Sequence, residues 1–127
     1  IYNALPSDLQ NVITTTKVIS GHGSTSGETN FETQDKLYLL NAQEVWNGNS
    51  SDTSVGTSKQ LDYYKNQGVT ESSYAGAKKQ YNRSNSYWWL RSAYSSTAHF
   101  LTVYVTGSWI SGTAHGSYGV SPAFRIA

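Results

Sequence analysis

The sequence predicts an α+β domain on two observations. Stretches with helical spacing and capping residues lie in the first half. Short aromatic and β-branched runs, separated by turn residues, fill the second half. The length of 127 residues suits a single domain, 1–127, with no internal repeat and no linker-like hinge to divide it.

Each element has a local reason. "LPSDLQNVITT" reads as a short helix, with Ser7 as N-cap after Pro6 and Gln10 three residues on, as in a capping box. "TKVIS" reads as a strand and the Gly/Ser-rich "GHGSTSGETN" as a loop. "KLYLLN" is an apolar run expected to form a buried strand, after which Asn41 and Glu44 can cap a single turn through "AQEVW". "GNSSDTSVGTS" is a second loop. "SKQLDYYKNQG" suits a second short helix that ends near Gly68. From Val69 to Ser86 the chain reads as polar and irregular. "YWWLRS", "HFLTVYV" and "WISGTA" then read as strands, the last two joined by a turn at "TGS". "GVSPAFRIA" is a closing strand that starts, bulges or forms an edge at Pro122, which lacks a backbone N–H.

Composition removes several function classes. The net charge is +1 with scattered basic residues, which gives no electrostatic footprint for nucleic acid. The apolar runs are far shorter than the roughly 20 residues a membrane span needs, so no direct membrane insertion is expected. Without cysteine there is no disulfide frame, thiol catalysis or Cys-based zinc site. His22, His99 and His115 have no metal-ligand spacing with one another or with a carboxylate. The acids Glu28, Glu32, Asp35, Glu44, Asp52, Asp62 and Glu71 are dispersed, and no phosphate-binding, dinucleotide-binding or nucleophile-elbow motif occurs. The expectation is therefore no metal, no cofactor and no catalytic residue. Asn49-Ser50-Ser51 and Asn82-Arg83-Ser84 match the glycosylation sequon, a match common by chance.

The C-terminal segment is the anomaly. No charged side chain lies between Arg91 and Arg125, and fifteen of the 25 residues from Tyr94 to Tyr118 are Ser, Thr, Tyr or Gly. Tyr supplies rigid amphipathic contact area and the small polar residues supply adaptable hydrogen bonding, the chemistry of a paratope. Charge depletion with retained aromatics also suits the centre of a protein interface. An ordinary hairpin with polar outer positions is the plain alternative, because Thr and Tyr favour strands.

"YWWLRSA", then Phe100, Val103, Gly107 and Trp109, then "GVSPAFRI" resembles the C-terminal signature of a bacterial and phage domain family. "YNALPSDLQNVI", "DKLYLLNAQEVW" and "LDYY" resemble that family's opening, so the likeness covers most of the chain. The resemblance implies a C-type-lectin-like fold with two short helices and a small, mainly antiparallel sheet. The likeness is to the branch of that fold shared with formylglycine-generating enzymes and phage tropism determinants. Several members are similar to the variable proteins of diversity-generating retroelements, in which adenines of a template repeat are mutated. Such mutation of Asn codons can yield Tyr, Ser, Thr, His and Ile but not Lys, Glu, Gln, Met or Trp. Residues 1–92 hold 19 of those five types, whereas Ala93–Tyr118 hold one, Trp109, and no Asn follows Asn85.

The resemblance implies a division of labour. Phe100, Val103, Trp109, Ala114, Val120, Pro122 and Phe124 would be the fixed scaffold, its aromatics buried, joined by Trp88 and Trp89, which as neighbours on a strand face opposite sides, one in the core and the other in a second layer or on an exposed platform. Tyr94, Thr97, His99, Leu101, Tyr104, Thr106, Ile110, Thr113, His115 and Tyr118 would be the variable, ligand-facing set. The expected function is non-catalytic recognition of a protein or glycan on a cell surface, from a phage virion tail or a bacterial cell surface. The first residue, Ile1, leads to the expectation of the C-terminal part of a longer protein. Cysteine-dependent oxidation is not implied here. Neither is calcium-dependent sugar binding, because "WNG" at Trp46 lacks the Asp of the lectin motif. A non-diversified module of the same fold and a cofactor-free hydrolase stay open as alternatives. Oligomeric state is left unassigned.

Overall fold

The computed structural model describes residues 1–24, 27–95 and 98–127. It is a small mixed α/β protein with three short helices and antiparallel strand ladders. A single-turn 3-10 helix over Tyr2–Ala4 leads into α1 (Ser7–Val12), followed by β1 (Ile13–Thr14), β2 (Thr16–Ser20) and β3 (Phe31–Asp35). The helices α2 (Ala42–Trp46) and α3 (Asp62–Asn66) come next. The chain continues through β4 (Lys79–Tyr81), β5 (Ser84–Ser86), β6 (Trp88–Ala93), β7 (His99–Val103), β8 (Trp109–Thr113) and β9 (Arg125–Ile126). In place of one small sheet, the described residues form a three-stranded sheet, β6-β7-β8, and three two-stranded ladders, β1-β9, β2-β3 and β4-β5. No helix among the described residues is long and apolar enough to cross a membrane.

The core forms where β6 alternates. Trp88, Leu90 and Ser92 are buried, while Trp89, Arg91 and Ala93 point to the opposite face, as the two-residue period of a strand requires. Cross-strand partners share a face, so Val103 and Leu101 join Trp88 and Leu90 on the inner side. Helix α2 supplies Ala42, Val45 and Trp46, and Tyr64 and Val69 come from α3 and the residues after it. Both buried indoles find a backbone acceptor. Trp46 Nε1 donates to the Gly107 carbonyl at 3.1 Å, and Trp88 Nε1 to Ala77 at 3.2 Å.

Several expectations change. Helix α1 starts one residue early, with Pro6 at the cap and no side-chain cap bond. Ser7 already lies inside the helix, and Gln10 reaches back to the Leu5 carbonyl instead, at 2.7 Å. "KLYLLN" is no regular strand. Tyr38 makes a single bridge with Ala123, and the Leu40 carbonyl accepts from Arg91 N, so the segment ties β6 to the closing residues. The closing strand shrinks to Arg125–Ile126, which pairs with β1. The region read as irregular contains the hairpin β4-β5. Its turn residues Asn82 and Arg83 have φ of 49° and 65°, the left-handed pair of a type I′ turn. Arg at the second position hides that turn, because Gly is its usual occupant there.

Candidate functional site

A buried polar network is built around Arg91 and Ser92 of "YWWLRS". The Asn41 side chain accepts from Glu44 N at 2.9 Å, and the Glu44 carboxylate accepts from Asn41 N at 2.8 Å, a complete capping box on α2. The same Oε2 takes a hydrogen bond from Arg91 Nη1 at 2.7 Å, in an ion pair whose side chains are about one-tenth exposed. Arg91 also donates to the carbonyls of Leu39, at 2.7 Å, and Ile19, at 3.1 Å. Next to it, the Ser92 hydroxyl accepts from Ala42 N and donates to buried Asp52, which in turn caps Ser54. Burying two charges requires this degree of satisfaction. The motif's polar residues thus weld β6, α2 and the loop after α2 into one frame.

The outer face of β6-β7-β8 carries Trp89, Arg91, Ala93, Phe100, Thr102, Ile110 and Gly112. Part of it is roofed by aromatic rings. Tyr118 stacks on Tyr87 at 4.9 Å between centroids and leans on Trp89 at 4.8 Å, and Tyr104 meets Tyr87 edge-on at 5.0 Å. A Cβ on Gly112 would lie 2.9 Å from the Tyr118 ring, so the ring sits directly over that glycine. Desolvation, then the neighbouring Tyr104 and Tyr118, holds the Tyr87 phenol above its ordinary range. Beyond the roof, a cleft of about 530 Å³ opens between this face and the β2-β3 hairpin. Trp89, Ala93, Phe100 and Ala114 form one side of it; Glu28 and Phe31 lie on the other.

This geometry sorts the ligand-facing set. Thr106, Ile110 and His115 are exposed, and Tyr104, Thr113 and Tyr118 are half-buried. His99 is half-buried at the start of β7, and Tyr94 packs against the core and Trp109. Thr97 lies outside the described residues. Leu101 is a correction. It is 0% exposed and cannot face a ligand. Phe100 and Val103 are three residues apart on one strand and so take opposite faces. Val103 is buried, which sends Leu101 inward and Phe100 outward. Phe100 is 38% exposed, Phe124 37% and Val120 54%, so these scaffold positions are not the buried frame expected of them. Pro122 is exposed as well, on the irregular closing segment. Trp88 is buried, while Trp89 and Trp109 are half-buried, the latter against the core.

The chemistry available is limited. Among the described residues no group of three His, Asp or Glu is placed to hold a metal ion. His99 Nδ1 stands 3.5 Å from Ser111 Oγ and His115 Nε2 stands 3.4 Å from Thr113 Oγ1, both at the outer limit of hydrogen bonding. Neither histidine has a carboxylate partner among the described residues. The buried carboxylates of Glu44 and Asp52 are occupied by the frame. Asn49 is buried and donates to Glu71, which removes one of the two sequons. The sequence reading missed Phe31 and Glu28 on the far wall of the cleft. Only the pairing of β2 with β3, unmarked by apolar alternation in "FETQD", brings them there.

Comparison with characterised proteins and with solved structures gives no match. One family model, described as a domain of unknown function, matches residues 1–127. The chain belongs to that family, DUF6273.

Proposed function

We propose that this chain is a non-catalytic recognition domain of C-type-lectin-like fold, displayed on a phage tail or a bacterial surface, with its C-terminal segment as the binding surface. The observation that carries the reading is the contrast along residues 99–118. Leu101, Thr102 and Val103 are buried in a frame fastened by Arg91 and Ser92, while Thr106, Ile110 and His115 are exposed on the same hairpin and just past its end. Such an arrangement lets surface side chains change without disturbing the core. A rigid frame also lowers the ordering cost of binding. The target is a protein or glycan held by shape and hydrogen bonding. The recognition set is the predicted one without Leu101, and its diversification by a retroelement is part of the proposal.

A fixed binding face is the second reading, and Tyr118 favours it. Its ring stacks on Tyr87 and leans on Trp89 over Gly112, so replacement there costs packing. The binding claim is tested with arrays of bacterial surface glycans and surface proteins, probed with the wild type and with a Thr106→Ala/Ile110→Ala/His115→Ala variant. The expected result is a hit whose affinity falls at least about ten-fold in the variant while the unfolding midpoint holds. Unchanged binding by the variant would overturn the assignment of the surface.

A further inference from the structure

The outer cleft has a composition of its own. Phe31 is 56% exposed and Phe100 38%, yet both line one cavity together with Trp89. Large aromatic surfaces left open around a single concavity mark a binding site more often than an accident of packing. The volume of about 530 Å³ falls within the range of small-molecule sites.

Charge then narrows the ligand. Two charged residues, Arg91 and Glu28, line the cleft. The Arg91 charge is balanced by Glu44, and its Nη1 and Nε are committed to Glu44 and to the Leu39 and Ile19 carbonyls. Glu28 has no ion-pair partner among the described residues. The cleft therefore combines three large aromatic side chains and the imidazole of His22 with one carboxylate that has no ion-pair partner among the described residues. Aromatic faces attract cations through their quadrupole, and a carboxylate nearby adds to that attraction. A primary ammonium is strongly hydrated and needs several acceptors, which a lining of mostly carbon does not provide. An alkylated ammonium has little hydration to lose and methyl groups to pack on rings.

We propose that this cleft binds a small, freely diffusing organic cation, an alkylated ammonium whose methyl groups pack on Trp89, Phe31 and Phe100 while Glu28 faces its charge. Trp89 and Phe100 belong to the positions expected to be fixed, not to the variable set. The site therefore goes beyond the proposed recognition surface and stands whether or not that surface is diversified. A membrane headgroup is disfavoured, because Glu28 would repel the phosphodiester beside its ammonium.

The test is a titration of the intact chain with choline and tetramethylammonium, followed by calorimetry and by the indole N–H resonances. The comparison ligand is 3,3-dimethylbutan-1-ol, the neutral isostere of choline. The expected result is millimolar or tighter choline binding that shifts the Trp89 resonance, with the isostere at least about ten-fold weaker. Glu28→Gln should weaken choline several-fold and leave the isostere unchanged. Phe31→Ala and Phe100→Ala should weaken both cations with the unfolding midpoint preserved, since both rings are partly exposed. The proposal is overturned if neither cation shifts Trp89, if the isostere binds as well as choline, or if Glu28→Gln changes nothing. Tighter binding to phosphatidylcholine vesicles than to free choline would also overturn it.

Discussion

Glu44→Gln removes one charge from a buried pair and almost nothing else. The amide keeps the volume and can still accept from Asn41 N, but Arg91 is left beside a neutral group with its side chain only 10% exposed. Removing one member of such a pair costs about 3–5 kcal/mol. Arg91 retains two carbonyl acceptors, which places the expected loss near the lower end, about 3 kcal/mol. For a chain of this length that corresponds to a fall of about 10 °C in Tm. Arg91→Met leaves the Leu39 and Ile19 carbonyls without their donor and should cost a similar amount. The double variant should cost clearly less than the sum of the singles, with a coupling energy of about 2 kcal/mol. Urea unfolding followed by tryptophan emission measures all four corners, since Trp46 and Trp88 are both buried. Single losses below about 0.5 kcal/mol, or strict additivity, would refute the view that this pair fastens β6 to α2.

Three further outcomes are expected. Leu101→Ala should cost about 2–5 kcal/mol, while Thr106→Ala and His115→Ala stay within about 0.5 kcal/mol; comparable losses at all three would undo the strand register. Gly107→Ala should abolish or severely weaken folding, because φ is +95° and the new Cβ would lie 2.1 Å from the Tyr74 carbonyl oxygen. Gly68→Ala, at φ +66° with open space around it, should cost only about 1 kcal/mol by the same urea assay. Burial, and then Tyr63, pushes the Tyr64 phenol up to about 12 from 10.0. Below pH 10 the phenol is neutral in both states. Between about pH 10 and 12 the unfolded chain loses the proton that the folded chain keeps, so stability falls there by up to about 3 kcal/mol. Tyr64→Phe should flatten that segment of a stability–pH curve, and an unchanged slope would contradict the assignment.

Legibility in the sequence followed the range of the interactions. The capping box of Asn41 and Glu44 and the β7-β8 hairpin are local, and the residues that make them are a few positions apart. The β4-β5 turn is local too, yet Asn82-Arg83 does not announce it, because the left-handed conformation there is carried without glycine. The Glu44–Arg91 pair spans 47 residues, and no spacing rule could join the dispersed acid to the strand. Phe100 and Leu101 went to the wrong faces because the family-like spacing of Phe100 and Val103 was read without the two-residue alternation that β7 enforces. The outer cleft was invisible for a different reason. Its far wall comes from a hairpin with a polar sequence, and neither Phe31 nor Glu28 is unusual until β2 and β3 pair.

The most direct test of a rewritable recognition surface is the DNA sequence flanking the coding region. The expected result is a near-copy of the codons for residues 93–127 beside a reverse transcriptase gene, differing only at adenines. Those differences should fall on the codons of exposed and half-buried residues such as Thr106, Ile110 and His115, and spare Leu101 and Val103. An intact locus with no such repeat, or differences concentrated on the buried positions, would contradict diversification and leave the hairpin as a fixed face.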